Sequence, residues 1–581
     1  MTARTPYEQG APASELERLL GSLSHEGGPF SPARFAELDQ LEEFPADACR
    51  VLNDFGLGRY YVPTRHGGLQ ASFEEVVQLW RTVARRDLTV AVAHGKTFLG
   101  AATVWVAGEP EQCALLGKEI AGGTAVSWGL TERHHGSDLL AGELTATRTE
   151  DGWRLNGEKW LINNATRGDM ICVLARTAPA GGPRGFSLLL VDKRRLRAGS
   201  YHCLPKELLH GIRGADISGL SFQDADVPAE ALVGGPGEGI ELVLKALQFT
   251  RTVCVALSLG AADHALRLAV DFVRQRKLYD RYLVELPRVR RTLGGAATLL
   301  FLAEAVSVVA SRSLHALPRE MSVVSAITKA FVPTLADEMI GQLGELLGAR
   351  AFMSNVYSDG MFQKLERDHR IVAIFDGSTL VNRNAVINLF PALARTYRNK
   401  RRDETGVTEA VTLTAPLPGF EPERLSLLSS MGCSVVQSLP DAVEQVQAMV
   451  SRGEGTERVA RLAEELRMAT EEVLREMGAY TPSPRDVPPA AFTLAARYEL
   501  CFAGAACLQL WLRNLEWAST RPLWKDALWL EACLVQVLDR LRVKAALGEV
   551  EVYDRLAEAL IAWQGKTAFS PLTGGGAGEG P

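Results

Sequence analysis

Asp376 is the side chain of this sequence with the clearest potential for acid–base chemistry, and it stands in the short segment Asp376-Gly377-Ser378-Thr379. A carboxylate can take a proton from a substrate when it is held within hydrogen-bonding distance of that proton. The same segment is also typical of the start of a helix, where an aspartate caps backbone amides. Taken alone, the residues favour the helix cap.

The pair His134-His135 invites a metal hypothesis. Adjacent residues on an extended segment point to opposite faces, so the two rings are poor joint ligands. The chain has nine cysteines, an odd number, and none of them forms a Cys-x-x-Cys pair. We therefore expect no metal site and no disulfide framework, and the reducing cytoplasm is the predicted location.

Composition limits the possible partners of the chain. It has 581 residues, of which 47% are hydrophobic and 23% charged, which is enough for three or more domains. A net charge of −6 argues against a nucleic-acid partner. Residues 1–28 are polar and acidic, so we expect no signal peptide, and no segment is expected to be long and apolar enough to span a membrane.

The elements that must position Asp376 follow from the hydrophobic period. Residues 31–123 have helical spacing and predict an N-terminal helical domain, after a loose leader over residues 1–30. Residues 124–235 alternate in polarity, with a hairpin turn at Asp151-Gly152, and predict a central β-barrel-like domain.

Helical spacing returns over residues 236–396. Segments 240–275, 287–315, 322–348 and 365–395 predict a four-helix bundle. A linker over 397–410, a C-terminal helical extension over 411–572 and a disordered tail over 573–581 complete the prediction. The acidic residues Asp526, Glu531 and Asp539 favour a packed cap or a dimer surface for the extension over membrane attachment. The predicted fold class is α+β, mostly α.

Five motifs, in order, resemble those of one protein family. They are the segment Leu130 to Asp138, the turn Asn156-Gly157-Glu158-Lys159, the segment from Phe222 to Gly239, the run Arg276 to Tyr279, and Arg367-Asp368 followed by Ile374 to Ser378. Together they are similar to the acyl-CoA dehydrogenases, over about residues 30 to 396. Members of that family remove a proton and a hydride from neighbouring carbons of a fatty acyl thioester, with FAD as the hydride acceptor.

The resemblance implies a role for each matching position. It makes Asp376 the catalytic base, because the first-helix position used by some relatives is Thr250 here. It places substrate contacts at Ser137, Thr250, Arg251 and Gly377. It places FAD contacts at Trp128, Leu130, Thr131, Ser137, Leu161, Asn163, Arg276, Tyr279, Gly348 and Ser378. Because Arg276 would reach a cofactor in a neighbouring subunit, a homodimer or a dimer of dimers is expected.

Several positions depart from the family pattern. Leu161 stands where an aromatic residue often covers the flavin, Asn163 replaces a threonine, and Asp280 replaces a glycine. The first hypothesis is therefore an FAD-dependent dehydrogenase acting on a thioester of coenzyme A or an acyl carrier protein and passing electrons to a flavoprotein. The alternatives are a flavin oxidase or monooxygenase that uses oxygen, and a non-catalytic flavin-binding or assembly protein.

Overall fold

The computed structural model describes residues 11–22, 27–178, 180, 182–483, 486–518, 521–543, 550–563 and 568–572. The predicted tail, 573–581, lies outside these residues. The strands are β1 (Val126–Gly129), β2 (Thr145–Arg148), β3 (Gly152–Asn163), β4 (Met170–Arg176), β5 (Phe186–Asp192), β6 (Tyr201–Leu204), β7 (Ile217–Pro228), β8 (Leu232–Val233), β9 (Lys277–Leu278) and β10 (Arg281–Tyr282).

Helices make up most of the chain. The first twelve are α1 (Pro12–Leu20), α2 (Pro32–Leu41), α3 (Ala46–Phe55), α4 (Phe73–Ala84), α5 (Leu88–Ala107), α6 (Pro110–Ala121), α7 (Gly239–Gln275), α8 (Pro287–Ala316), α9 (Met321–Leu347), α10 (Ala349–Phe352), α11 (Met361–His369) and α12 (Thr379–Arg398). The C-terminal region adds α13 (Glu404–Val411), α14 (Ser434–Gln437), α15 (Leu439–Ser451), α16 (Glu457–Ala479), α17 (Pro489–Ala518), α18 (Leu528–Arg540) and α19 (Glu551–Ala562).

The chain divides into two compact units. The sheet unit comprises residues 23–71 and 87–250, and the helical unit comprises residues 1–22, 72–86 and 251–581. The long helix α7 begins in the sheet unit and continues in the helical unit.

The sheet unit contains one mixed sheet with the strand order β6-β7-β3-β2-β4-β5-β8, and β1 pairs in parallel with β4. Alternating apolar residues of these strands, among them Leu155, Val173 and Phe222, form a buried core. The register between β3 and β7 shifts twice, and the second shift lies at Leu161, whose φ is 55°. The prediction of a central β domain is confirmed.

The helical unit contains the predicted bundle. Helix α8 packs on α9, and α9 packs on α12. Three of the four predicted helices agree with α7, α8 and α9 to within a residue or two at each end. The prediction of one helix over 365–395 is wrong, because Asp376 (φ 55°) and Gly377 (φ 92°) have backbone conformations that a right-handed helix excludes.

The C-terminal extension packs as helices against this bundle. Helices α13, α17 and α19 contact α8, and α16 contacts α12. The linker is shorter than predicted, because α12 continues to Arg398 and α13 begins at Glu404. Within the extension, α18 begins only at Leu528, because Asp526 (φ 53°) and Ala527 (φ 55°) have left-handed backbones that interrupt a helix.

The N-terminal boundaries differ from the sequence prediction for an electrostatic reason. Helix α4 belongs to the helical unit, because the buried Arg81 guanidinium pairs with Asp263 of α7 at 2.7 Å and with Glu304 of α8. Part of the expected loose leader is helix α1, whose Glu17 pairs with Arg85 and Arg86. Burial opposes ionisation of Glu17, but the two guanidiniums hold its pKa below the ordinary value.

The prediction that no segment is long and apolar enough to span a membrane is wrong. Four helices, α5, α7, α8 and residues 489–516 of α17, are long and apolar enough to cross a membrane by length and composition alone. Between 72% and 94% of the most apolar window of each is buried within the protein. Helices at the centre of a large domain are apolar on all sides, as membrane-spanning helices are. The sequence alone did not distinguish these two kinds of helix.

Candidate active site

The helical unit carries Asp376 at the end of a loop between α11 and α12, residues 370–378, here called the Asp376 loop. The cap of α12 is Ser378, whose Oγ accepts a hydrogen bond from the Val381 amide at 3.3 Å. The helix-cap interpretation of Asp376 is therefore wrong. Asp376 has instead a left-handed backbone that costs an aspartate energy, and such strain is concentrated at functional sites.

Arg251, on α7, contacts the main chain of this turn. Its Nε donates to the main-chain oxygen of Asp376 at 2.8 Å. Burial lowers the pKa of Arg251 to about 10, while the negative charge of Asp376 opposes that change. The guanidinium is consequently still a cation at neutral pH, and it lies beside the carboxylate that was predicted to act as the base.

Two further buried side chains hold the Asp376 loop. Asn382 Nδ2 donates to the main-chain oxygens of Gly377 at 2.8 Å and Ser378 at 3.0 Å. Lys329 Nζ, from α9, donates to the oxygen of Val372 at 2.7 Å. Sequence reasoning missed both residues, although Lys329 is the only charged residue between Met321 and Leu335, and a lysine in such an apolar run needs a polar partner when it is buried.

Gly377 is required by its surroundings. Its φ is 92°, and a Cβ added there would lie 3.0 Å from Arg251 Nη2 and 3.2 Å from Asn382 Nδ2. Any side chain would therefore press on two of the groups that hold the loop.

The start of the loop is fixed by a buried hydrogen-bonded histidine. His369 Nε2 lies 2.8 Å from Ser258 Oγ of α7, and His369 Nδ1 lies 2.6 Å from Asp337 Oδ1 of α9. Ser258 and His369 are fully buried, so this serine–histidine–aspartate chain is closed to substrate and serves to position the end of α11.

In the sheet unit, the segment that carries Thr131 and Ser137 is anchored by a buried ion pair. Lys159 Nζ lies 2.7 Å from Glu132 Oε1 and 3.1 Å from the Leu130 oxygen. Although burial opposes its ionisation, the Lys159 ammonium and the amides of Glu143 and Leu144 hold the pKa of Glu132 below the ordinary value. The acid and the lysine of two separate sequence motifs thus form one structural contact.

Three of the predicted ligand-contacting residues of the sheet unit have buried polar atoms that find no hydrogen-bond partner among the described residues. They are Trp128 Nε1, both amide atoms of Asn163, and Thr250 Oγ1. Buried polar atoms in proteins are nearly always paired, so each of these three residues has a polar group available to a ligand or a water. Leu161, two residues before Asn163 in the same strand, is 40% exposed in a left-handed conformation.

The remaining predicted FAD contacts are half-buried or exposed. Leu130 and Thr131 are half-buried and Ser137 is exposed. Arg276 is exposed beside the hairpin of β9 and β10, whose tip is Tyr279 and Asp280, both with positive φ. Gly348 ends α9 with φ 59° and has open space around its Cα, and Ser378 uses its hydroxyl to cap α12.

Comparison with known proteins identifies the fold and the family. Models of the acyl-CoA dehydrogenase N-terminal, middle and C-terminal domains match residues 31–124, 127–225 and 237–388. The chain belongs to the acyl-CoA dehydrogenase family. It is therefore a flavin oxidoreductase with FAD as its cofactor.

Individual relatives of this acyl-CoA dehydrogenase family member are distant. The chain is 27% identical to the probable acyl-CoA dehydrogenase fadE25 of Mycobacterium leprae, over 60% of this chain and 88% of that protein. It is 25% identical to cyclohex-1-ene-1-carbonyl-CoA dehydrogenase of Syntrophus aciditrophicus, over 60% and 83% of the two chains. An acyl-CoA dehydrogenase from Bacillus anthracis has a similar fold, with a TM-score of 0.70, 18% identity and 96% of each chain covered, so the shared fold includes the C-terminal extension.

The residues of the sheet unit fit the flavin of this family. An isoalloxazine ring has both donors and acceptors along its edge, and these match the unpaired indole N–H of Trp128 and the unpaired amide of Asn163. The exposed Leu161 side chain provides an apolar surface of the kind that a flat ring covers.

Proposed function

We propose that this protein dehydrogenates a saturated acyl thioester to the α,β-unsaturated product, with Asp376 as the catalytic base. The observation that carries the proposal is the Asp376 loop itself. Its aspartate is held in a strained left-handed conformation, and the Arg251 guanidinium bonds to its main-chain oxygen. The Arg251 contact, together with the place of Asp376 in the family motif, supports the role of a catalytic base.

The chemistry divides between the cofactor and the residues of the chain. FAD, when bound, supplies the acceptor for a hydride. Asp376 takes the proton from the carbon next to the thioester carbonyl, and Arg251 holds the main chain of Asp376 for this step. Trp128, Asn163 and Thr131 hold the cofactor in the sheet unit, and the Glu132–Lys159 ion pair fixes the segment that carries Thr131.

The substrate class and the electron acceptor are part of the same proposal. Relatives whose names specify a CoA thioester favour coenzyme A over an acyl carrier protein as the carrier. The acceptor is proposed to be an electron-transferring flavoprotein, and the location is proposed to be the cytoplasm. A homodimer is proposed because Tyr279 and Phe352 are each 90% exposed, and large aromatic residues are enriched where protein surfaces meet.

The experiment is anaerobic mixing of the purified yellow protein with butyryl-, octanoyl- and palmitoyl-CoA, with the flavin absorbance followed and the product identified by mass. We expect bleaching of the flavin and loss of two hydrogens from at least one of these thioesters. A protein that contains FAD but is bleached by none of them would contradict the proposal. The same mixtures in air separate the two acceptors, because rapid oxygen consumption would indicate an oxidase instead.

A further inference from the structure

A thiol contacts the carboxylate of Asp376. Cys254 Sγ lies 3.3 Å from Asp376 Oδ2, within the range of a hydrogen bond to sulfur. Cys254 is fully buried on α7, three residues after Arg251, so the two side chains lie on the same face of the helix. Helix α7 therefore contacts both the main chain and the side chain of Asp376.

We propose that Cys254 is a positioning residue for the base, with its S–H donating to Asp376 Oδ2. The proposal rests on the proposed function of Asp376. Arg251 fixes the main-chain oxygen of the residue, and Cys254 fixes the direction of the short carboxylate relative to α7. Nothing in the sequence motifs indicated this contact, because Cys254 stands in an apolar run that reads as core.

The alternative is that Cys254 only fills space, since free cysteines often behave as small apolar side chains. The two roles have different consequences. A hydrogen bond donated to the ionised form of a carboxylate favours that form, whereas apolar packing does not. Removal of the donor therefore shifts the pH dependence of the proton-transfer step, whereas a loss of packing alone lowers stability at every pH.

The charged groups near Asp376 are left unchanged in this test. Arg251 of α7 bonds to the main-chain oxygen of Asp376, and Lys329 of α9 bonds to the main chain of the same loop. Both side chains are retained in the variants below, so a shift in the pH profile reports the thiol.

The test compares Cys254→Val and Cys254→Ala, which lack the donor, with Cys254→Ser, which keeps one. Cys113→Val is the matched control, because Cys113 is also buried but donates to the main-chain oxygens of Val104 and Gly108. Each variant is loaded with FAD, and the rate of flavin bleaching by the best of the three CoA thioesters is measured as a function of pH.

We expect the acid limb of the profile to move to higher pH by about one unit in Cys254→Val and Cys254→Ala, which is about tenfold in rate on the acid side. Cys254→Ser restores much of the shift, and Cys113→Val shows none. An acid limb that is unchanged in both folded, FAD-containing donor-free variants would overturn the proposal.

An infrared measurement tests the contact without any substrate. The S–H stretching band that disappears in Cys254→Ala is expected to move when Asp376 is changed to Asn, and an unmoved band contradicts the hydrogen bond. The comparison also separates the two proposals. Full bleaching by Asp376→Asn removes the role of Asp376 as the base, whereas loss of bleaching in Asp376→Asn with unshifted Cys254 variants removes only the role of the thiol.

Discussion

Gly377→Ala is predicted to slow the reaction far more than it destabilises the fold. The new Cβ would lie 3.0 Å from Arg251 Nη2 and 3.2 Å from Asn382 Nδ2, so both side chains must move. The backbone at φ 92° adds a conformational cost of about 1–2 kcal/mol for any residue with a Cβ. A weakened hydrogen bond to the loop contributes about 1 kcal/mol more.

The total cost at the loop is therefore about 2–3 kcal/mol, and it is relieved most easily by a displacement of Asp376. If the whole of it is lost from the transition state, the rate of flavin bleaching falls by about 30- to 150-fold. The measurement is stopped-flow absorbance with a CoA thioester, together with thermal unfolding of the same samples.

Gly341→Ala is the matched control. Gly341 lies in the interior of α9, and no atom lies within 4 Å of the position where its Cβ would be added. Alanine there is expected to stabilise the protein by about 0.5–1 kcal/mol and to leave the bleaching rate unchanged. A wild-type rate of flavin bleaching in Gly377→Ala would contradict this prediction, because it would mean that the loop accepts a side chain without moving its aspartate.

The remaining predictions concern buried charges. Asp263→Ala removes a buried carboxylate that pairs with both Arg81 and Arg85, which still have Glu304 and Glu17, and the free energy of unfolding in a urea titration should fall by about 3–5 kcal/mol. Burial raises the pKa of Glu320 from 4.5 to about 7, so between these pH values the folded state binds more protons than the unfolded state and stability falls as pH rises. Glu320→Gln, which retains an acceptor for the Ser434 amide, should remove about 3 kcal/mol of that pH dependence. Parallel unfolding curves for the two proteins from pH 5 to pH 7 would contradict the assignment.

The order of the elements was predictable from the sequence, because hydrophobic period separates long helices from alternating strands. The helix boundaries of the bundle followed for the same reason. The break between α11 and α12 did not, because the residues on either side of Asp376 continue a helical pattern and only the left-handed backbone at Asp376 and Gly377 interrupts it.

The site was predictable only in part. Asp376, Arg251 and Gly377 came from the family motifs, and the structure brings them together at one turn. Cys254 was missed because its contact with Asp376 joins residues more than a hundred positions apart in the chain. Asn382 was missed because its contacts depend on a turn that the sequence did not reveal. The grouping of α4 with the bundle was missed for a similar reason, since it depends on ion pairs between distant helices.

The most direct test of the central claim is the bleaching rate of Asp376→Asn, measured anaerobically beside the wild type with equal FAD content. Asparagine keeps the size of the side chain but cannot accept a proton at neutral pH. The rate is expected to fall at least about a hundredfold, the usual contribution of a positioned base. A rate within a few-fold of the wild type, at any pH, would contradict it.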